Sequence, residues 1–268
     1  MGHHNIQFAG DPSSDSGAWS PPTSRANFCE EDYVISFYLA EFINALTNVA
    51  YIYYALRAMY PSSSTRSRSL LRPQWDFMSL SLLVLGIGSF LFHATLRQTL
   101  EFVDEFSMLG LTWSMLQASL AAHQPPARAR AITLALAAAF LSFSAFYLWS
   151  AKIIYQVFAF VSALIGVLLR SQWMFHCLRP GFPEAKRREW NARIWKALAV
   201  CLFGYLLWTI DLEYCAELRA IREKVGLPWA WLFEFHGWWH ILTAVGASQA
   251  MQVAREAREE KGREGKTE

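Results

Sequence analysis

Apolar runs of helix length alternate along this chain with short polar segments. The pattern places spans at Ser36 to Leu56, Asp76 to Leu96, Phe102 to Ala122, Ala131 to Trp149, Ile153 to Gln172, Ile194 to Ile210 and Trp229 to Val253. A bilayer core about 30 Å thick is crossed by roughly 20 apolar helical residues, and several runs meet that length. The connections carry turn chemistry: Tyr60-Pro61, Gln124-Pro125-Pro126, Arg179-Pro180-Gly181 with Pro183, and Gly226-Leu227-Pro228. The expectation is an all-α membrane protein of seven transmembrane helices.

Composition agrees, with 54% hydrophobic against 17% charged residues, and the charges bunched between the runs. A net charge of +2 with no basic, aromatic-laced stripe argues against nucleic acid as a partner. The first 32 residues are polar, so no cleavable signal peptide is expected and the first span should target the chain. Lys and Arg fall unevenly on alternate connections. Sixteen lie on the side of Arg57, Arg66, Arg68, Arg72, Arg128, Arg179, Lys186 and the tail, against six on the side of Arg25, Arg97, Lys152, Arg219, Arg222 and Lys224. The N-terminus is therefore expected in the lumen or exterior and the C-terminus in the cytosol. Three regions follow: a luminal segment 1–35, a seven-helix catalytic domain 36–253, and a charged tail 254–268 read as a solvated extension of the last span.

Ionisable residues inside spans are costly, so those present point to function. They are Glu41, His93, Asp104, Glu105, Glu234, His236 and His240. The alternating direction of the spans sets His93, Asp104, His236 and His240 at one depth near the luminal side, given a rise of about 1.5 Å per residue. His236 and His240 are four apart and share a helix face, the arrangement that offers two nitrogens to one metal. With His93 as a third ligand the site suits catalytic zinc, which keeps a position open for water. Asp104 is then a candidate second partner or general base. A lone membrane histidine usually bonds a neighbouring helix, and Ser89, four residues before His93, would by itself be a packing residue.

Before the first span, Asn27-Phe28-Cys29-Glu30-Glu31-Asp32-Tyr33 is followed by Glu41, expected one to two turns inside the helix. Closely spaced oxygen ligands suit calcium. The alternative is a set of acids favouring a helix N-terminus, and Glu41 decides against it because a buried carboxylate needs a cation or donor. Cys29 and Cys215 fall on the oxidising side, Cys177 and Cys201 do not, which predicts a Cys29–Cys215 disulfide that sets the acidic segment beside the histidines.

Together these blocks resemble the alkaline ceramidase family, membrane amidases within a wider group of zinc-dependent seven-helix hydrolases. The likeness covers nearly the whole chain. It rests on Phe28-Cys29-Glu30-Glu31-Asp32-Tyr33 with Ala40-Glu41-Phe42 and Asn44, on Gly88-Ser89-Phe90 through His93-Ala94-Thr95-Leu96 with Asp104-Glu105, on Ile210-Asp211 and Cys215-Ala216-Glu217-Leu218-Arg219, and on His236-Gly237-Trp238-Trp239-His240. The resemblance implies zinc on His93, His236 and His240, catalytic roles for Ser89 and Asp104, and calcium on Asn27, the Phe28 carbonyl, Glu30, Asp32 and Glu41. Relative to the family pattern the amide at Asn27 and the acid at Asp32 are exchanged, which keeps the carboxylate count. It further implies ceramide as substrate, a sphingoid base and a fatty acid as products, and a multi-pass protein of the endoplasmic reticulum or Golgi among membrane lipids, without an obligate protein partner. A zinc-containing lipid or hormone receptor is the rival reading. A transporter ranks below it, since no matching broken helices mark the two halves.

Overall fold

A computed structural model describes residues 11–60, 75–122, 124–178 and 181–264, with side chains to residue 260. Pro61, Arg66, Arg68, Arg72, Arg179, Pro180 and the end of the tail, which figure in the turn and charge patterns above, lie outside these residues. The described residues form helices joined by turns, with no strand among them: α1 (Phe42–Thr47), α2 (Val49–Met59), α3 (Phe77–Thr95), α4 (Gln98–Ala121), α5 (Pro126–Ser150), α6 (Ile153–His176), α7 (Glu184–Glu213), α8 (Cys215–Val225), a 3-10 turn (Trp229–Phe233) and α9 (Phe235–Glu264). Among the described residues four helices, α3, α5, α6 and α7, are long and apolar enough to cross a membrane.

Local chemistry sets the ends. Asp76 caps α3 by accepting from the Ser79 amide at 2.8 Å, and Pro126 opens α5, where its missing N–H costs nothing. Leu96 ends α3 in the left-handed region at φ 48°, turning the chain sharply into α4. The expected first span differs most. Tyr33 adopts φ 55° and its amide bonds back to the Ala40 carbonyl at 2.8 Å, so the chain stays looped through Ala40. The helix therefore begins at Phe42 and is interrupted at Asn48, which makes Glu41 the residue before the helix instead of one inside it. The luminal loop expected before Trp229 is itself helical as α8. Gly226 and Pro228 then delay the last helix to Phe235.

The core lies between α2, α3, α4 and α9, where Tyr51, Leu82, Leu85, Leu111, Met115, Ala244 and Met251 pack together. α7 packs along α9, whereas α5 and α6 stack outside α4 and turn their apolar side chains outward. Leu134 is 70% and Trp149 81% exposed, far more apolar surface than water tolerates, and the natural cover is lipid. The charged end of α9 is not simply solvated: Glu256 accepts from Trp190 Nε1 at 2.7 Å and pairs with Arg193 at 2.8 Å, and Val253 and Ala257 bury against Trp190.

Candidate metal centre

The end of α3 and the start of α9 meet at one place. His93 sits in the last turn of α3, and His236 and His240 occupy the first two turns of α9; all three are buried. One nitrogen from each lies within 4.8 Å of the others, and His93 Nε2 is 3.4 Å from His236 Nε2. Gly237 lets the start of α9 pack closely on α1, because a Cβ there would fall 3.1 Å from Ile43 Cγ2 and 3.2 Å from Thr47 Cγ2. The i, i+4 pair and the third histidine thus meet as their spacing and depth predict.

The opposite edges of two rings are held. Glu41 Oε2 lies 2.5 Å from His93 Nδ1, so a proton on Nδ1 is donated to the carboxylate and Nε2 keeps its lone pair. Thr47 Oγ1 lies 3.0 Å from His240 Nδ1 and 2.9 Å from the Ile43 carbonyl. Its own hydrogen goes to a helix carbonyl, which leaves the oxygen to accept from His240 Nδ1–H. Both rings therefore present Nε2 inward. The Phe28 ring lies 4.0 Å from the His236 ring, tilted 35° to it, and covers the site on that side.

Ser89, one turn before His93, is buried and within hydrogen-bonding reach of Asp104, half-buried in the second turn of α4. The packing of α3 on α4 brings these two together. Glu105, next to Asp104, turns away and accepts from the Tyr147 hydroxyl at 2.8 Å.

The acidic segment stands directly beside the histidines. Glu30 accepts from the Ile43 amide at 2.6 Å and the Asn44 amide at 2.8 Å, capping α1, a role its position in sequence does not announce. Glu41 Oε2 also accepts from Asn44 Nδ2 at 3.0 Å. Asp32 Oδ1, Glu41 Oε1 and Asn44 Oδ1 are buried without a hydrogen-bond partner among the described residues, although the Phe28 amide lies beside the Glu41 carboxylate. Burial, then the charges of Glu41 and Asp11, push the Asp32 carboxyl from its ordinary 3.8 to about 8, with Arg219 opposing. Burial likewise raises Glu30, against the two amides it accepts from. Buried carboxyl groups in this state are kept neutral by a proton or compensated by a cation. Asn27 is half-buried. Among the described residues only the three histidines gather three His, Cys, Asp or Glu ligand atoms so tightly. A cation in the acidic segment therefore needs oxygens besides the carboxylates, such as those of Asn27 and the Phe28 carbonyl.

Cys29 and Cys215 form the predicted disulfide and tie this segment to α8. Arg222 donates to the Cys29 carbonyl at 2.7 Å and to Glu234 at 2.8 Å. Asp211, matched above only as part of a motif, has a definite task. One of its oxygens accepts from the Cys29 amide and the other from the His236 amide, each at 3.3 Å, which links the acidic segment to the start of α9.

A protein-family model described as Ceramidase matches residues 20–267. Alkaline ceramidase YPC1 of Saccharomyces cerevisiae is 31% identical over 250 residues, covering 87% of this chain and 76% of that protein. Alkaline ceramidase 3 of Mus musculus is 28% identical over 235 residues, covering 86% and 82%. An alkaline ceramidase of Arabidopsis thaliana is 27% identical over 228 residues, covering 84% and 80%.

Proposed function

Because the chain belongs to the ceramidase family, we propose that it is a zinc-dependent intramembrane amidase that hydrolyses ceramide to a sphingoid base and a fatty acid, with calcium bracing the site. The observation that carries this is the convergence of three buried imidazoles, two of them locked with Nε2 inward.

The donor set fits zinc. Two nitrogens each about 2.0–2.1 Å from a tetrahedral ion stand roughly 3.3 Å apart, close to the 3.4 Å between His93 Nε2 and His236 Nε2. Neutral imidazoles also match that borderline-soft cation. When bound, zinc polarises a carbonyl oxygen and makes a water acidic enough to attack near neutral pH. The remaining work falls to the protein. Asp104 takes the proton from the attacking water and returns it to the departing amine. Ser89, whose hydroxyl donates to the ionised Asp104, is released once Asp104 has taken that proton and turns its hydrogen to the amide oxygen as negative charge builds there. Phe28 and the buried walls exclude bulk water and strengthen both contacts.

Glu30, Asp32 and Glu41, with Asn27 and the Phe28 carbonyl, would hold calcium, to which Asp32 Oδ1 and Glu41 Oε1 would offer buried oxygens that accept no hydrogen bond among the described residues. The chain crosses the membrane seven times, through α1 with α2, then α3, α4, α5, α6, α7 and α9, with α8 and the metal centre at the luminal end and the tail in the cytosol, in the endoplasmic reticulum or Golgi. The outward apolar faces of α5 and α6 support the embedding.

Release of labelled fatty acid from ceramide by the purified protein tests the activity. Turnover is expected from the parent and a loss of at least about a hundredfold from Asp104→Asn, the scale of a general acid–base contribution. Absence of turnover in zinc-replete parent protein on every ceramide tried would refute the enzyme reading.

A further inference from the structure

Residues 11–19 precede the segment matched by the family model, yet they are built onto the acidic site. The chain folds back over the loop of residues 33–40. Ala18 donates its amide to the Phe37 carbonyl at 2.9 Å, and Trp19 Nε1 donates to the Tyr38 carbonyl at 3.0 Å. Ser20 Oγ donates to the Ser14 carbonyl at 2.5 Å and accepts from the Gly17 amide at 2.9 Å, closing a tight coil. Gly17 lies under the Tyr33 ring so closely that a Cβ would stand 2.0 Å from Tyr33 Cε1. No larger residue fits there without displacing the ring.

This coil delivers one carboxylate, Asp11, which is 9% exposed. Its Oδ2 accepts from the Asp32 amide at 3.0 Å and from Arg219 Nη2 at 3.1 Å, and its Oδ1 accepts from the Ser13 amide at 3.3 Å. Arg219 in turn donates Nε to the Cys29 carbonyl at 2.9 Å. Asp11 Oδ2 accepts two hydrogen bonds and Oδ1 one, so this carboxylate is spent on holding the Asp32 main chain and the Arg219 guanidinium. What it holds is the main chain of Asp32, whose buried Oδ1 has no hydrogen-bond partner among the described residues.

We propose that Asp11 is a positioning residue for the calcium site, fixing the Asp32 main chain and the Arg219 guanidinium so that the Asp32 carboxylate is aimed before the ion arrives. The inference rests on the calcium reading above. Preorganisation of this kind lowers the ordering cost of binding, so Asp11 sets calcium affinity without touching the ion.

The test is calcium titration of the purified full chain, read by calorimetry and by the rise in melting temperature, with zinc content measured in parallel. Asp11→Ala is expected to raise the half-saturating calcium concentration roughly tenfold, the scale of one lost charge-assisted contact. Zinc content and the melting temperature at saturating calcium should stay near the parental values. Asp11→Asn keeps an acceptor for the Asp32 amide but loses the ion pair, and it should shift the midpoint by only about threefold. If Asp11→Ala does not fold, Asp11→Asn decides. An unchanged midpoint in the folded variants would overturn the role of Asp11 while leaving calcium binding intact. A parent protein with no calcium response would instead overturn the calcium reading, and this inference with it.

Discussion

Glu41 grips His93 at two points: its carboxylate lies 2.5 Å from His93 Nδ1, and its amide donates to the His93 carbonyl at 3.0 Å. The side chain of one residue thereby belongs to both proposed metal sites. Its Oε2 orients a zinc ligand, while its Oε1 remains for a cation in the acidic segment.

Glu41→Gln should therefore injure zinc binding as well as calcium binding. The amide is a weaker acceptor for Nδ1–H, and loss of such a partner typically costs about 10–100-fold in metal affinity. Competition with a chelator of known zinc affinity measures this. A variant whose calcium response alone is lost, with zinc affinity unchanged, would show that the contact does not tune the histidine.

Thr47 makes the equivalent contact to His240, 3.0 Å from Nδ1. Thr47→Val preserves shape and removes the acceptor, and should lower zinc affinity by about tenfold, with Thr47→Ser restoring it. Equal zinc affinity in the valine and serine variants would assign Thr47 to helix packing alone.

Much of this centre is legible in the sequence, but unevenly. The spacing of His236 and His240 gives a shared helix face directly, and the expected alternation of span directions brings His93 toward them. The expectation that Cys29 and Cys215 share one side singles them out as partners, and they do form the disulfide. The holding contacts are a different matter. Glu41 reaches His93 across 52 positions and Thr47 reaches His240 across 193, so only packing brings them together. Thr47 reads locally as a small packing residue, and Asp11 as part of a polar leader. Periodicity also overextends the first helix, because the loop closed by the Tyr33 amide on the Ala40 carbonyl is a feature of backbone geometry that an apolar run does not encode. α8 escapes notice because its charged, short sequence resembles a loop until it is seen anchored by Cys215 and Arg222.

The disulfide binds the acidic segment to α8 while Asp211 bonds both Cys29 and His236. Replacing Cys29 and Cys215 together by Ser should lower unfolding stability by about 2–4 kcal/mol, the usual range for a bridge closing a long loop. Calcium should bind more weakly as well, because the segment it orders is no longer tethered. Thermal melts with and without calcium follow both effects. Parental calcium affinity in a folded double variant would separate the disulfide from the site.

The central claim is a zinc ion held by three imidazoles with its fourth position open to water. X-ray absorption spectroscopy of the purified protein measures that coordination directly. It should report about one zinc per chain with nitrogen and oxygen neighbours only, at roughly 2.0–2.1 Å, and outer-shell scattering from three imidazoles that falls to two in any zinc retained by His240→Ala. A sulfur neighbour near 2.3 Å, or a His240→Ala spectrum and zinc content identical to the parent's, would contradict it.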